Sequence, residues 1–304
     1  MLSRDLQRHT ELHRALGFKF RTQHSLLRLF VSHAEALGDE FVDGRCVIDW
    51  AAQAPSAAQR RNRLLTVRRF ALALRAEDGR HEVPPADAFG VAGPRRRKPY
   101  IYAPDEITNL LAAAVRLGPA GSLTASTYGT LFGLLAATGM RVSEALALQV
   151  ADVTPDGLLI RATKFQKSRL LPLHDTAHAA LDRHLQHRAR IVLAGNSLFT
   201  ATSHGPLPYD TVAGAFRRLA RSLGLRGKAG KPDARIHDLR HTFAVRSLES
   251  CPLERHAIAR HLLALSTYLG HARVTDTYWY LEATPVLLRE VAEAGEILLR
   301  GVRA

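Results

Sequence analysis

The chain of 304 residues has little cysteine: only Cys46 and Cys251, far apart. Two such thiols make neither a disulfide framework nor a zinc pattern, and they suit a reducing cytosol. No apolar run approaches the ~18 residues of a membrane span, and the first residues lack the apolar core of a secretory signal. Acidic residues are scarce beside basic ones, 28 Asp and Glu against 42 Lys and Arg, so the formal charge is +14 and the pI about 10.5. No internal repeat or low-complexity tract stands out. What remains is an ordinary globular composition, 46 % apolar and 23 % charged, in a chain long enough for a buried core and two domains. These features predict a soluble, cytoplasmic protein with a polyanionic partner.

The positive charge is shared. Residues 1–99 hold 18 Lys or Arg against 11 Asp or Glu, and the remainder 24 against 17, so each part is +7. The first part reads as helices. One ends at Gly17; another, residues 21–37, puts Leu26, Leu27, Phe30 and Ala34 on one face. VIDWAAQA is a short helix, and Ser56 can cap a longer one with Leu64, Val67, Leu72 and Leu74 as its apolar positions. Arg60, Arg61, Arg63, Arg68 and Arg69 crowd that helix, either as a solvated face or as a line of phosphate contacts. Proline and glycine then gather in HEVPPADAFGVAGPRRRKPY, which also carries Arg95, Arg96, Arg97 and Lys98. This divides the chain into a helical domain, 1–93, a basic linker, 94–101, and a second domain, 102–304.

The second domain reads as mainly α with a small antiparallel β-sheet. A helix starts at Ala103-Pro104-Asp105-Glu106, another runs through STYGTLFGLLAATG to Gly139, and RVSEALAL opens a third with Arg141 in its first turn. VADV, GLLIRAT and RLLPL are the strand signals, and the last two flank KFQKS as a hairpin. Most of the remaining chain returns to helical spacing, including the C-terminal PVLLREVAEAGEILLRGV.

From Ile236 to Leu281 the chain reads IHDLRHTFAV, a helical spacer, then TYLGHARVTDTYWYL. Arginine and histidine together can grip and protonate a phosphate. A tyrosine with a pKa near ~10 is a poor nucleophile until something takes its proton. Attack on a phosphodiester further calls for two arginines on the non-bridging oxygens and an acid for the departing 5′ oxygen. On a helix, His237 and Arg240 share one face and can reach one phosphate.

ATGMRVSEALAL, IHDLRHTFA and YLGHARVTDTYWYL, in this order, resemble the three signature stretches of the tyrosine recombinase, or phage-integrase, family. The N-terminal part is similar to that family's core-binding domain in size, helicity and charge. The resemblance implies a site-specific recombinase or integrase that forms a covalent 3′-phosphotyrosyl link. It implies that Arg141 clamps the scissile phosphate, that Glu144 holds the pocket, and that Lys164 in the hairpin is the acid for the 5′ oxygen. His237 and Arg240 form the His-x-x-Arg unit, with His237 accepting the tyrosine proton; His271 adds a hydrogen bond to the phosphate, and Tyr280 is the nucleophile. No cofactor, metal or ATP is implied, since the bond energy stays in the covalent link. The implied partners are double-stranded DNA recombination sites and further copies of the chain, a dimer per site and a synaptic tetramer; the resemblance has the helix over 285–302 docking on a neighbour, and its apolar positions would equally suit packing on its own domain. TYLGH…DTYWYL resembles recombinases of mobile elements, some encoded beside sister recombinases, which implies a setting in transposition or integration.

Some alternatives stay open at this level. Lys167 rivals Lys164, because the hairpin lacks the glycines that often surround the family's lysine. Tyr278 competes with Tyr280, although the spacing from His271 selects Tyr280, and Tyr278 and Trp279 then read as packing residues. His237 and His241 stand at metal-ligand spacing, but without a third ligand. The separation of 31 positions from Arg240 to His271 exceeds that of compact family members. A catalytically silent DNA-binding protein on the same scaffold, or a type IB topoisomerase, would share much of this pattern.

Overall fold

A computed structural model of the chain describes residues 2–90, 97–119, 121–161, 168–191, 195–200, 205–225, 233–251, 255–271, 273–278 and 280. The chain divides into two compact units, 1–96 and 97–304.

In the first unit, helices α1 (Leu2–Ala15), α2 (Arg21–Ala36), α3 (Gly44–Ala52) and α4 (Ala57–Arg75) enclose one apolar cluster. Leu27, Phe30, Val31 and Ala34 of α2 and Leu64, Val67, Phe70, Ala71 and Leu74 of α4 recur at helical spacing, and all are buried. Asp43 caps α3 by accepting from the Cys46 N–H, and Ser56 caps α4 by accepting from the Gln59 N–H, a bond worth ~1 kcal/mol. Leu72 lies off the α4 stripe and is exposed. The α4 arginines differ from a free cationic row. Arg60, Arg61, Arg63 and Arg68 donate to the carbonyls of Ala54, Gly90, Trp50 and Pro84, and the Arg63 guanidinium sits 4.8 Å over the Trp50 ring. These four hold α4 to its own unit.

The second unit is mainly helical with a small sheet. Helices α5 (Pro104–Ala114), α6 (Leu123–Thr138) and α7 (Val142–Ala147) come first. A three-stranded antiparallel sheet comes next, β1 (Val153–Thr154), β2 (Gly157–Ile160) and β3 (Arg169–Leu171), in that spatial order. VADV is mostly a 3₁₀ turn over Val150–Asp152, with only Val153 in β1. Then come α8 (Asp175–Ala189), α9 (Tyr209–Ser222), α10 (Asp238–Glu249), α11 (Arg255–Leu269) and the short α12 (Thr275–Tyr278). Helix α6 is apolar on most sides because it is central, packing against α5, α8 and α10. Its buried Leu131, Phe132 and Leu135 join Tyr102, Phe199, Phe216 and Leu239 in the core. The sheet lays Leu158 opposite Leu171 and Ile160 opposite Arg169. Alternation along β3 puts Arg169 and Leu171 on one face, with Leu170 on the other. No helix among the described residues is long and apolar enough to cross a membrane.

Candidate active site

The last carbonyls of a helix have no partner within it. At the end of α11, Gly270 turns the chain through the left-handed region, φ 67°; its N–H donates to Thr267 O and the His271 N–H to Ser266 O, both 3.0 Å, a Schellman closure. Three carbonyls left over at this end receive three arginines. Arg169 Nε donates to Tyr268 O at 3.0 Å and Arg240 Nη2 to Leu269 O at 2.8 Å. Arg141 donates to Leu269 O at 3.5 Å and to Gly270 O at 3.2 Å. The negative end of the helix dipole thus collects three positive charges.

Each arginine comes from a different element. Arg141 caps α7 in extended backbone, one residue before the helix rather than inside its first turn. Its own N–H donates to Glu144 Oε2 at 3.0 Å and its Nη1 to Oε1 at 2.8 Å. Glu144 also accepts from Arg169, at 2.9 and 3.2 Å. Burial pushes the Glu144 carboxyl up, but the bonds from Arg169 and Arg141 outweigh it and hold the pKa down at about 2. Arg240 lies in the first turn of α10, and its Nη1 donates to Gly139 O at 2.8 Å. Burial, helped by the Arg141 charge, lowers the Arg240 pKa to about 10, so it stays protonated at neutral pH.

Three imidazoles face these charges. His237 caps α10, and burial followed by Arg240 and Arg141 lowers its pKa. The His241 ring lies 4.8 Å from that of His237 and 5.5 Å from that of Tyr280. Burial, then His237 and Arg240, pull the His241 pKa to about 3. The Nδ1 of His271 bonds to Thr277 Oγ1 at 2.8 Å, and its ring stacks on Tyr280 at 6.1 Å and 15°. Burial, then the arginine charges, lower the His271 pKa to about 4. His241 and His271 are therefore neutral at pH 7 in the protein alone. Among the described residues no group of three His, Cys, Asp or Glu is placed to hold a metal.

Tyr280 lies just beyond α12, its N–H donating to Thr277 O at 3.0 Å. It packs with Ala244, Val245, Leu248, Leu265 and Leu269, and it lies close enough to the Arg240 guanidinium to favour that residue's charged form. Tyr280 and Arg240 are each only 3 % exposed. Tyr278 is 51 % exposed, so it is a surface residue and not the packing residue expected from sequence. Trp279 lies outside the described residues. The structure thus brings Arg141, His237, Arg240, His271 and Tyr280 into one cluster, with Glu144 bonded to Arg141 and Arg169. Lys164 and its rival Lys167 lie outside the described residues. Sequence reasoning missed Arg169 and Thr277. For Arg169 a signal existed: it stands two residues before the buried Leu171 on a strand, where a charge on the inner face needs a partner.

A family profile described as Phage integrase family matches residues 102–285. Over 296 residues the chain is 38 % identical to y4rB of Sinorhizobium fredii, a protein named among integrases and recombinases, with 94 % of each chain covered. It is 31 % identical over 278 residues to the tyrosine recombinase XerD of Caulobacter vibrioides, covering 89 % of this chain and 82 % of that one. A solved structure of the Tn1549 transposon integrase in complex with transposon right end DNA matches with a TM-score of 0.66 at 17 % identity, over 97 % of this chain and 99 % of the other. The chain belongs to the phage integrase family of tyrosine recombinases.

Proposed function

We propose that this chain cuts and rejoins double-stranded DNA at specific sites through a 3′-phosphotyrosyl link on Tyr280. The observation that carries this reading is the Tyr280 ring set against His241 at 5.5 Å and His271 at 6.1 Å, while Arg240, in the same helix turn as His241, shares the Leu269 carbonyl with Arg141. A nucleophile and two phosphate-gripping cations thereby occupy one place.

In the cleavage step Tyr280 Oη forms a bond to phosphorus, and the bond from phosphorus to the 5′ oxygen breaks. Arg141 and Arg240 hold the non-bridging oxygens, and His271 adds a donor. Neutral His237 takes the tyrosine proton, and Lys164 supplies one to the 5′ oxygen. The free 5′ hydroxyl of a partner strand then reverses the step, so neither metal nor ATP is needed. Because Tyr280 and Arg240 are buried, a DNA phosphate must part them to enter. Residues 1–93 act as the core-binding domain, and the assembly is a dimer per site and a tetramer at synapsis, with sister recombinases as further partners. The setting is mobile-element transposition or integration on nucleoid DNA. The identity to y4rB and the transposon integrase fold support that setting.

The test is covalent capture. DNA from the chain's own element, nicked so that the cleaved fragment diffuses away, should leave a protein–DNA adduct on a denaturing gel. Tyr280→Phe should abolish the adduct and Tyr278→Phe keep it. The opposite pattern overturns the tyrosine assignment; no adduct with the parent protein makes the chain a silent DNA binder.

A further inference from the structure

We infer that Arg169 is a positioning residue for strand cleavage, setting the Arg141 guanidinium through the Glu144 carboxylate; this rests on the function proposed above. Arg169 projects from the inner face of β3, beside buried Leu171, and its side chain is 14 % exposed. All three of its nitrogens are engaged. Nε meets Tyr268 O, while Nη1 and Nη2 meet the two oxygens of Glu144. A Cβ built at Gly270 would lie 2.7 Å from Arg169 Nη1, so the guanidinium rests flat against the residue whose carbonyl binds Arg141 and which precedes His271.

The chemistry comes from sharing. Glu144 offers one negative charge to two guanidiniums. With Arg169 in place, the carboxylate is anchored in the plane that Arg169 fixes; it takes the Arg141 backbone N–H on Oε2 and meets the Arg141 guanidinium through one nitrogen only. Arg141, with a side chain 33 % exposed, keeps donors and net charge for an incoming phosphate. Without Arg169 only the Arg141 backbone N–H still holds the carboxylate, and it can turn further onto the Arg141 guanidinium as a bidentate pair, which competes with the phosphate for the same donors. The carbonyl end of α11, which also sets Arg240 and His271, loses one of its three ties. A lysine at 169 has one point charge and cannot reach Tyr268 O and both Glu144 oxygens together.

The experiment compares single-turnover adduct formation, DNA affinity and the melting midpoint for Arg169→Gln, Arg169→Lys, Glu144→Gln and the Arg169→Gln/Glu144→Gln double variant. The expected result is an adduct rate at least tenfold lower for Arg169→Gln, DNA affinity within about threefold of the parent, an intermediate rate for Arg169→Lys, and a double variant no slower than the slower single. Arg169→Gln at the parent rate, or costs that multiply in the double variant, overturns the inference. If Arg169→Gln does not fold at the assay temperature, Arg169→Lys decides: a parent-level rate overturns the inference. The parent protein in the same assay keeps the two readings apart, since its failure to form a Tyr280-dependent adduct counts against the proposed function itself.

Discussion

Arg240 donates to the carbonyl of Gly139 at 2.8 Å across 101 positions of sequence. The bond ties the start of α10 to the end of α6, and so holds Arg240 beside Arg141, two residues beyond that glycine. Gly139 stands at φ 60°, and an added Cβ would meet the Phe243 ring at 2.5 Å. Gly139→Ala should therefore cost about 1–2 kcal/mol from the left-handed backbone alone, with the clash in addition. Chemical denaturation should show that loss, and adduct formation should slow with it. A variant as stable as the parent would contradict the geometry.

Burial of the histidines ties stability to pH. The folded-state pKa values of His237, His241 and His271 lie below the ordinary 6.5. Below pH 6.5 the unfolded chain takes up protons that the fold refuses, so stability is complete above that value and falls on acidification toward about 4 and 3, where His271 and His241 titrate. Glu144, held at about 2 against an ordinary 4.5, begins to contribute only in more acid solution, so the window from pH 6.5 to 5 belongs to histidines. His9 in the first unit, lowered to about 4 by burial and then His13, acts in the same direction. Melting midpoints should drop between pH 7.5 and 5, and His241→Gln should flatten the slope. A midpoint that rises on acidification would be the wrong sign.

Thr277 fixes the ring that stacks on the tyrosine. It is fully buried and bonds to His271 Nδ1. Thr277→Val removes that bond with little change of shape, at about 1 kcal/mol. With the ring no longer held, adduct formation should slow by roughly three- to tenfold, while DNA affinity stays near the parent. An unchanged rate would show that the hydrogen bond does not orient His271 for the reaction.

Much of this is legible in the sequence, and the exceptions have a common cause. The α2 stripe, the Ser56 cap, Gly139 as a helix end and the pairing of GLLI with RLL come from period and turn chemistry. The grouping of Arg141, His237, Arg240, His271 and Tyr280 is foreshadowed by the resemblance of their motifs to the family's signature stretches. What the pattern cannot show is where long side chains find backbone partners. Arg60, Arg61, Arg63 and Arg68 look like a cationic row until their guanidiniums are seen on carbonyls of the same unit. The gathering of Arg141, Arg169 and Arg240 at the end of α11 depends on which carbonyls a helix leaves over. That is a property of three dimensions. Tyr278 and Tyr280 point to different sides of the turn that ends α12, as residues two apart on a helix do, so one is exposed and the other buried.

The hairpin lysine can be assigned by chemistry alone. Lys164 and Lys167 both lie between β2 and β3, and the general acid is whichever one protonates the departing 5′ oxygen. An alkoxide leaves badly without a proton, whereas a thiolate, with a pKa near ~8.5 for an alkyl thiol, leaves without one. Replacing the bridging 5′ oxygen by sulfur should therefore make the acid dispensable. Lys164→Ala should lose about 10²–10⁴-fold in adduct formation on ordinary DNA and recover most of it on the sulfur-bridged substrate. Lys167→Ala should be slowed less and show no selective recovery. Recovery with Lys167→Ala instead would transfer the role to that residue, and recovery with neither would mean that the proton comes from outside the hairpin.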